Sequence, residues 1–191
     1  MARQASFGKA VGAGPRQAEY PSALFAQFGR SILELGPDVP LLDLGPSTTS
    51  NVMYWVREGH PVSALDMTVR GGKTDRVRLD YPDDSFSGVL GWTALSHLPV
   101  VQARQLMQEL GRVMRPDGWL FAVFDGDGRK PPEAQRYRII DRETLGFEPI
   151  PDRAPPRPVL TREVEALFQP FREVRIMVMR HASREALGRR P

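Results

Sequence analysis

The chain has 191 residues, 41% of them hydrophobic and 26% charged, with a formal net charge of +3. These values suit one globular domain and exclude a membrane-spanning helix, since no apolar run approaches the ~20 residues that a bilayer requires. Cysteine is absent, which excludes disulfides and thiolate metal sites, and three scattered histidines (His60, His97, His181) provide no metal cage.

The charge is unevenly spread. Residues 172–191 hold Arg172, Arg175, Arg180, Arg184, Arg189 and Arg190 against Glu173 and Glu185. Residues 1–30 hold Arg3, Lys9, Arg16 and Arg30 against Glu19, so the middle of the chain is acidic. Basic ends are either solvated tails or contacts for nucleic acid or anionic lipid. Without interleaved aromatics or a reader motif, nucleic acid is the weaker partner reading.

In chain order, residues 1–18 are rich in Gly, Ala, Arg and Gln without apolar periodicity and read as a disordered tail. They show neither the apolar stretch of a secretory signal nor the amphipathic pattern of a transit peptide. Apolar residues at Leu24, Phe25, Phe28, Ile32 and Leu33 predict an amphipathic helix over 20–35, stopped by Gly36-Pro37-Asp38. Val39 to Leu44 reads as a strand, Val52 to Glu58 as a helix and Val62 to Leu65 as a second strand. A Gly71-Gly72 turn precedes a short third strand at Arg76 to Leu79. Phe86 to Trp92 is a fourth strand, Val100 to Met114 a helix, Arg115 to Gly118 a turn and Trp119 to Phe124 a buried strand. Arg136 to Ile150 is open between strand and helix. Pro151 to Pro158 holds four prolines and is a loop, Thr161 caps a helix to Phe168, and Val174 to Met179 is the last strand. Strands alternating with helices predict an α/β fold: a doubly wound, mostly parallel sheet with helices on both faces. The domain is expected over residues 19–181, followed by a basic C-terminal tail, 182–191. Cytoplasmic residence is the default expectation.

The most informative stretch is Leu41-Leu42-Asp43-Leu44-Gly45-Pro46-Ser47-Thr48-Thr49-Ser50-Asn51. A buried strand runs through an acid and a glycine into a helix N-terminus, where free backbone N–H groups meet polar or anionic ligands. This segment resembles the first motif of class I S-adenosylmethionine (SAM)-dependent methyltransferases. Four further segments resemble that family in the same order. They are Asp66 at the second strand end, Tyr81-Pro82-Asp83-Asp84-Ser85-Phe86, Gly91 to Leu98, and Glu109 to Leu120.

The resemblance covers roughly residues 39–125 and implies SAM as cofactor, a small-molecule or unassigned acceptor, and methyl transfer by direct displacement. It implies a cofactor site of Asp43, Gly45, Ser47, Asp66, Met67, Asp80, Tyr81 and Trp92. Asp43 either orders the turn or meets the methionine amino group. Asp66 matches the two ribose hydroxyls. Asp80, or else Asp75, stands for the acid at the adenine amino group. Tyr81 and Trp92 stack on adenine or acceptor, or Trp92 belongs to the core. Ser50 caps the helix or, like its neighbours, donates to a carboxylate. No catalytic residue is assigned, because displacement on a sulfonium needs alignment more than a protein nucleophile. His97 either accepts a proton or packs in its loop. Asp125-Gly126-Asp127-Gly128 lacks the later acids of a calcium loop, so no metal is expected.

Two departures separate the chain from the family. Ser47 and Thr49 replace the second and third glycines and narrow the turn. Only 14 residues lie between Asp66 and Tyr81, so one crossover helix is shortened or missing. They support a rival reading: an inactive methyltransferase-like scaffold with a degraded pocket that binds a protein partner. The oligomeric state is not legible.

Overall fold

The computed structural model describes residues 18–46, 48–68, 76–126, 132–179 and 183–191. Strand β1 (Ala18–Pro21) leads into α1 (Ala23–Glu34), where Ser22 accepts from the amide of Phe25 as N-cap. The helix is shorter than its periodicity suggested, because Tyr20 and Pro21 pair with a later strand. Next come β2 (Leu41–Asp43), α2 (Thr49–Arg57) and β3 (Val62–Ala64). Helix α2 is capped by Thr48, which accepts from the Asn51 amide, and not by Ser50.

Between β3 and β4 (Phe86–Trp92) no described residue is helical. The expected strand at Arg76 to Leu79 does not form. Its backbone bonds instead to side chains of α4 (Val100–Val113): Val77 N–H donates to Gln105 and Leu79 N–H to Glu109. Arg112 donates to the Leu79 carbonyl. Held by a helix, the segment has no strand to pair with. The Gly71-Gly72 turn and Asp75 lie outside the described residues.

A single turn, α3 (Ala94–His97), precedes α4. Strand β5 (Met114–Phe124) absorbs the expected turn as an irregular start, with Asp117 at φ 65°. The undecided segment is a hairpin, β6 (Gln135–Ile139) and β7 (Thr144–Pro149), followed by the proline loop, α5 (Thr161–Phe168) and β8 (Arg172–Val178).

The last element corrects the expected tail. Residues Arg184–Arg189 are strand β9, not a solvated extension, and lie between β5 and β8. Ala186 and Leu187 are fully buried. The arginines are consumed within the fold: Arg184 by the carbonyls of Gly126 and Val159, Arg189 by Glu173 and Asp117, Arg190 by Asp84. At the other end Ala18 already belongs to β1, and residues 1–17 of the expected tail lie outside the described residues.

The main sheet has the order β3-β2-β4-β5-β9-β8. Strands β3, β2, β4 and β5 are parallel, and β9 is antiparallel to both neighbours. Alternate residues feed two cores: Leu42, Val89 and Leu120 face α4 and α5, while Leu41, Leu90 and Phe121 face α1 and α2. A second, antiparallel sheet, β1-β7-β6, was not anticipated. Among the described residues no helix is long and apolar enough to cross a membrane.

Candidate functional site at the carboxyl ends of the parallel strands

Open α/β sheets bind ligands beyond the carboxyl ends of their strands. Three strand ends meet there. Leu65 N–H donates to the Asp43 carbonyl, Met67 N–H to the Leu44 carbonyl, and Leu44 N–H to the Leu90 carbonyl. This stitching brings Asp43 and Gly45 beside Asp66 and Met67.

Asp43 orders the turn. It is buried, and its Oδ1 accepts from the Gly45 amide and from the Trp92 indole, both at 3.0 Å. Trp92 has φ 39°, a strained backbone for a bulky residue, where β4 bulges after Leu90. The bend lays the indole on Gly45: a Cβ there would stand 2.4 Å from its Cδ1. Tyr137 stacks at 6.0 Å and 13°, Phe25 at 6.4 Å and 27°, and Phe121 meets the ring edge-on. With 2% of its surface exposed, Trp92 packs as core and offers no face for stacking.

Asp66 is different. Its side chain is 29% exposed, and its Oδ1 accepts from the amide and hydroxyl of Thr68. Its Oδ2 pairs with Arg153 at 3.1 Å, and Arg153 also bonds Thr68. Arg153 belongs to the proline loop, which is anchored beyond it by Arg157: the amide donates to the Ser96 carbonyl and Nε to the Leu98 carbonyl. His97 is half-buried between these groups. Burial, then the Arg153 charge, hold its imidazole below the usual range, and Asp66 pulls the other way.

A second polar cluster lies under the hairpin. Asn51 of α2 donates to the Tyr137 carbonyl and accepts from the Ile139 amide. The Tyr137 hydroxyl donates to Asp125 Oδ1 at 2.5 Å, while the buried Asp125 Oδ2 has no partner among the described residues. Burial pushes the Asp125 carboxyl up to about 6. Beside it, buried Glu185 accepts from the Tyr20 hydroxyl at 3.0 Å and from Ser22 at 2.7 Å.

No family model matches the chain. The chain is 23% identical over 134 residues to the uncharacterized methyltransferase YodH of Bacillus subtilis, covering 60% of this chain and 56% of that protein. It is 27% identical over 162 residues to cycloartenol-C-24-methyltransferase of Arabidopsis thaliana, covering 78% of this chain and 46% of that protein. The chain thus spans about half the length of the curated relatives it matches. Among solved structures, 1,6-didemethyltoxoflavin-N1-methyltransferase of Burkholderia thailandensis was determined with bound 1,6-didemethyltoxoflavin and S-adenosylhomocysteine. It aligns with a TM-score of 0.54 at 18% identity, covering 88% of this chain and 79% of that one.

The fold is class I methyltransferase-like. Solved structures that share this fold include SAM-dependent methyltransferases of Methanosarcina mazei and Aquifex aeolicus. Asp66 presents two acceptor oxygens, partly exposed, one strand away from the glycine turn. Against Gly45 itself, the space is taken by Trp92. Ser47 lies outside the described residues, and Met67 contributes its backbone to the stitching while its side chain is buried in the core.

Asp80 and Tyr81 are not brought to this methyltransferase-like site. Tyr81 packs edge-on against Phe86 at 4.8 Å, at the start of β4. Trp92 ends the same strand, about 20 Å away at ~3.3 Å per residue. Asp80 is exposed beside it. The cause is the strapping to α4, which runs back towards the amino ends of the strands and carries residues 76–81 with it.

Thr68, Arg153, Asn51, Tyr137 and Asp125 were not assigned to the site from sequence. Arg153 sits in an aperiodic proline-rich loop with no signal to mark it. Asp125 directly follows an apolar strand, the same signal that marked Asp43 and Asp66.

Proposed function

We propose that the chain is a SAM-dependent methyltransferase of a small-molecule acceptor. The observation that carries this reading is the partly exposed Asp66 carboxylate, held beside the Asp43–Gly45 turn at the carboxyl ends of parallel strands. When bound, SAM supplies an electrophilic methyl group on a sulfonium. Asp66 accepts from the ribose hydroxyls, and Asp43 fixes the turn by holding the Gly45 amide. The proline loop is tied to the site by Arg153 on Asp66 and by the Arg157 bonds to Ser96 and Leu98. His97, kept neutral, takes the proton that a nitrogen or oxygen acceptor loses.

Calorimetric titration with SAM tests the reading: saturable heat is expected, lost in Asp66→Ala. Absence of heat and of a thermal shift at millimolar SAM would overturn it.

A second reading is a scaffold that no longer binds the cofactor. It is favoured by the Trp92 indole over Gly45 and by Arg153 on Asp66. It requires that no variant at Arg153 or Asp66 alters binding, because there is none.

A further inference from the structure

Within the methyltransferase reading, Asp66 is asked to receive two ribose hydroxyls, yet both of its oxygens are already engaged. Oδ1 accepts two bonds, from the amide and hydroxyl of Thr68, and Oδ2 accepts one from Arg153. Thr68 lies two residues from Asp66 in the same turn. Arg153 arrives from a separate loop, 87 residues on, and its guanidinium also binds the Thr68 hydroxyl. The ion pair is partly exposed, 23% for Arg153 and 29% for Asp66, so solvent reaches it and exchange is feasible. The loop does not depend on Arg153 for its docking: Arg157 pairs with Glu163 and bonds the carbonyls of Ser96 and Leu98. Release of Arg153 therefore leaves the loop anchored.

We propose that Arg153 is an internal competitor for the ribose position: it holds the Asp66 carboxylate and must be displaced for an adenosyl ligand to receive both ribose bonds there. The proposal rests on the assignment of Asp66 as the ribose acid. Its consequence is a site with cofactor affinity set below what its own carboxylate allows. The Arg153 charge, once displaced, remains on a loop beside His97.

The test is calorimetric titration of S-adenosylhomocysteine into the full chain and into Arg153→Gln, Asp66→Asn and the double variant. Arg153→Gln is expected to bind about two- to fivefold more tightly, the range that loss of a partly exposed ion pair gives. The gain should vanish in the Asp66→Asn background, because the competitor has lost its target. Raising salt to 0.5 M should tighten binding to the unsubstituted protein and leave Arg153→Gln unchanged. Unchanged or weaker binding by Arg153→Gln overturns the proposal. If the unsubstituted protein binds, Asp66→Asn weakens it and Arg153→Gln does nothing, only the competitor is refuted. If no form binds, all being folded by circular dichroism, the cofactor reading falls with it.

Discussion

Two titratable side chains report on the strand ends one residue at a time. Asp125 is buried with one oxygen on the Tyr137 hydroxyl and the other without a partner among the described residues, and burial raises its carboxyl to about 6. In the unfolded chain it titrates near 3.8. Between those values the folded protein holds a proton that the unfolded chain has released, so stability falls as pH rises through the window. A shift of about two units corresponds to about 3 kcal/mol. Urea unfolding at pH 4 and pH 8 checks this: the unsubstituted protein should lose up to that amount relative to Asp125→Asn between the two pH values. A constant difference would contradict the assignment. His97 gives the complementary sign. Its imidazole is held down by burial and by Arg153, so Arg153→Gln removes a repulsion and leaves Asp66 nearer to it alone. The His97 titration followed by NMR should move up in that variant. A downward shift, or none, would show that the charge of Arg153 does not reach His97.

Among the elements, β9 shows how charge can hide a central strand. Arg184-Glu185-Ala186-Leu187-Gly188-Arg189 has only two apolar side chains, and it reads as a tail until its partners are known. Those partners are remote: Tyr20 and Ser22 for Glu185, more than 160 residues away, and Asp117 for Arg189. Gly188 lets Phe168 and Phe171 close on the strand, since a Cβ would lie 2.9 Å from Phe168. Leu187 is fully buried in the core on the α1 face, so Leu187→Ala should cost about 2–5 kcal/mol in denaturant unfolding. A solvated tail would tolerate the change within about 0.5 kcal/mol. The parallel strands were legible because their signal is local: apolar runs such as Phe86 to Trp92 are buried at every position. The hairpin β6–β7 was not, because alternating Arg, Tyr and Ile residues in Gln135–Ile139 suit several backbones. Pairing of β6 with β7, and of β7 with β1 far upstream, selects the strands.

At the scale of the whole molecule, the same contrast runs through the site. The place of Asp43, Gly45 and Asp66 at strand ends was legible because Asp43 closes β2, Gly45 follows it and Asp66 follows β3, and strand ends in a parallel sheet converge by topology. Asp80 and Tyr81 were misplaced because residues 76–81 follow α4 instead of a strand of their own, and α4 leads them to the opposite end. The hairpin over the site was invisible for a further reason: it is held by long-range polar bonds that leave no periodicity. Two such attachments matter. Glu185 receives Tyr20 and Ser22 from the start of the chain, and Asn51 receives and donates one bond each with the backbone of β6. Asn51 is 1% exposed, so Asn51→Ala strands two buried backbone groups, Tyr137 C=O and Ile139 N–H, at about 1–3 kcal/mol each. The loss falls on the hairpin and not on the parallel strands, whose ladder bonds do not involve Asn51. Amide hydrogen exchange should therefore accelerate across Gln135–Ile139 and Thr144–Pro149 while β2, β4 and β5 keep their protection. Tyr137 would then leave the indole of Trp92, and the Trp92 fluorescence should report a more exposed ring. Uniform acceleration across both sheets would mean that they unfold as one unit, and that the hairpin cannot loosen over the site independently of the strands beneath it.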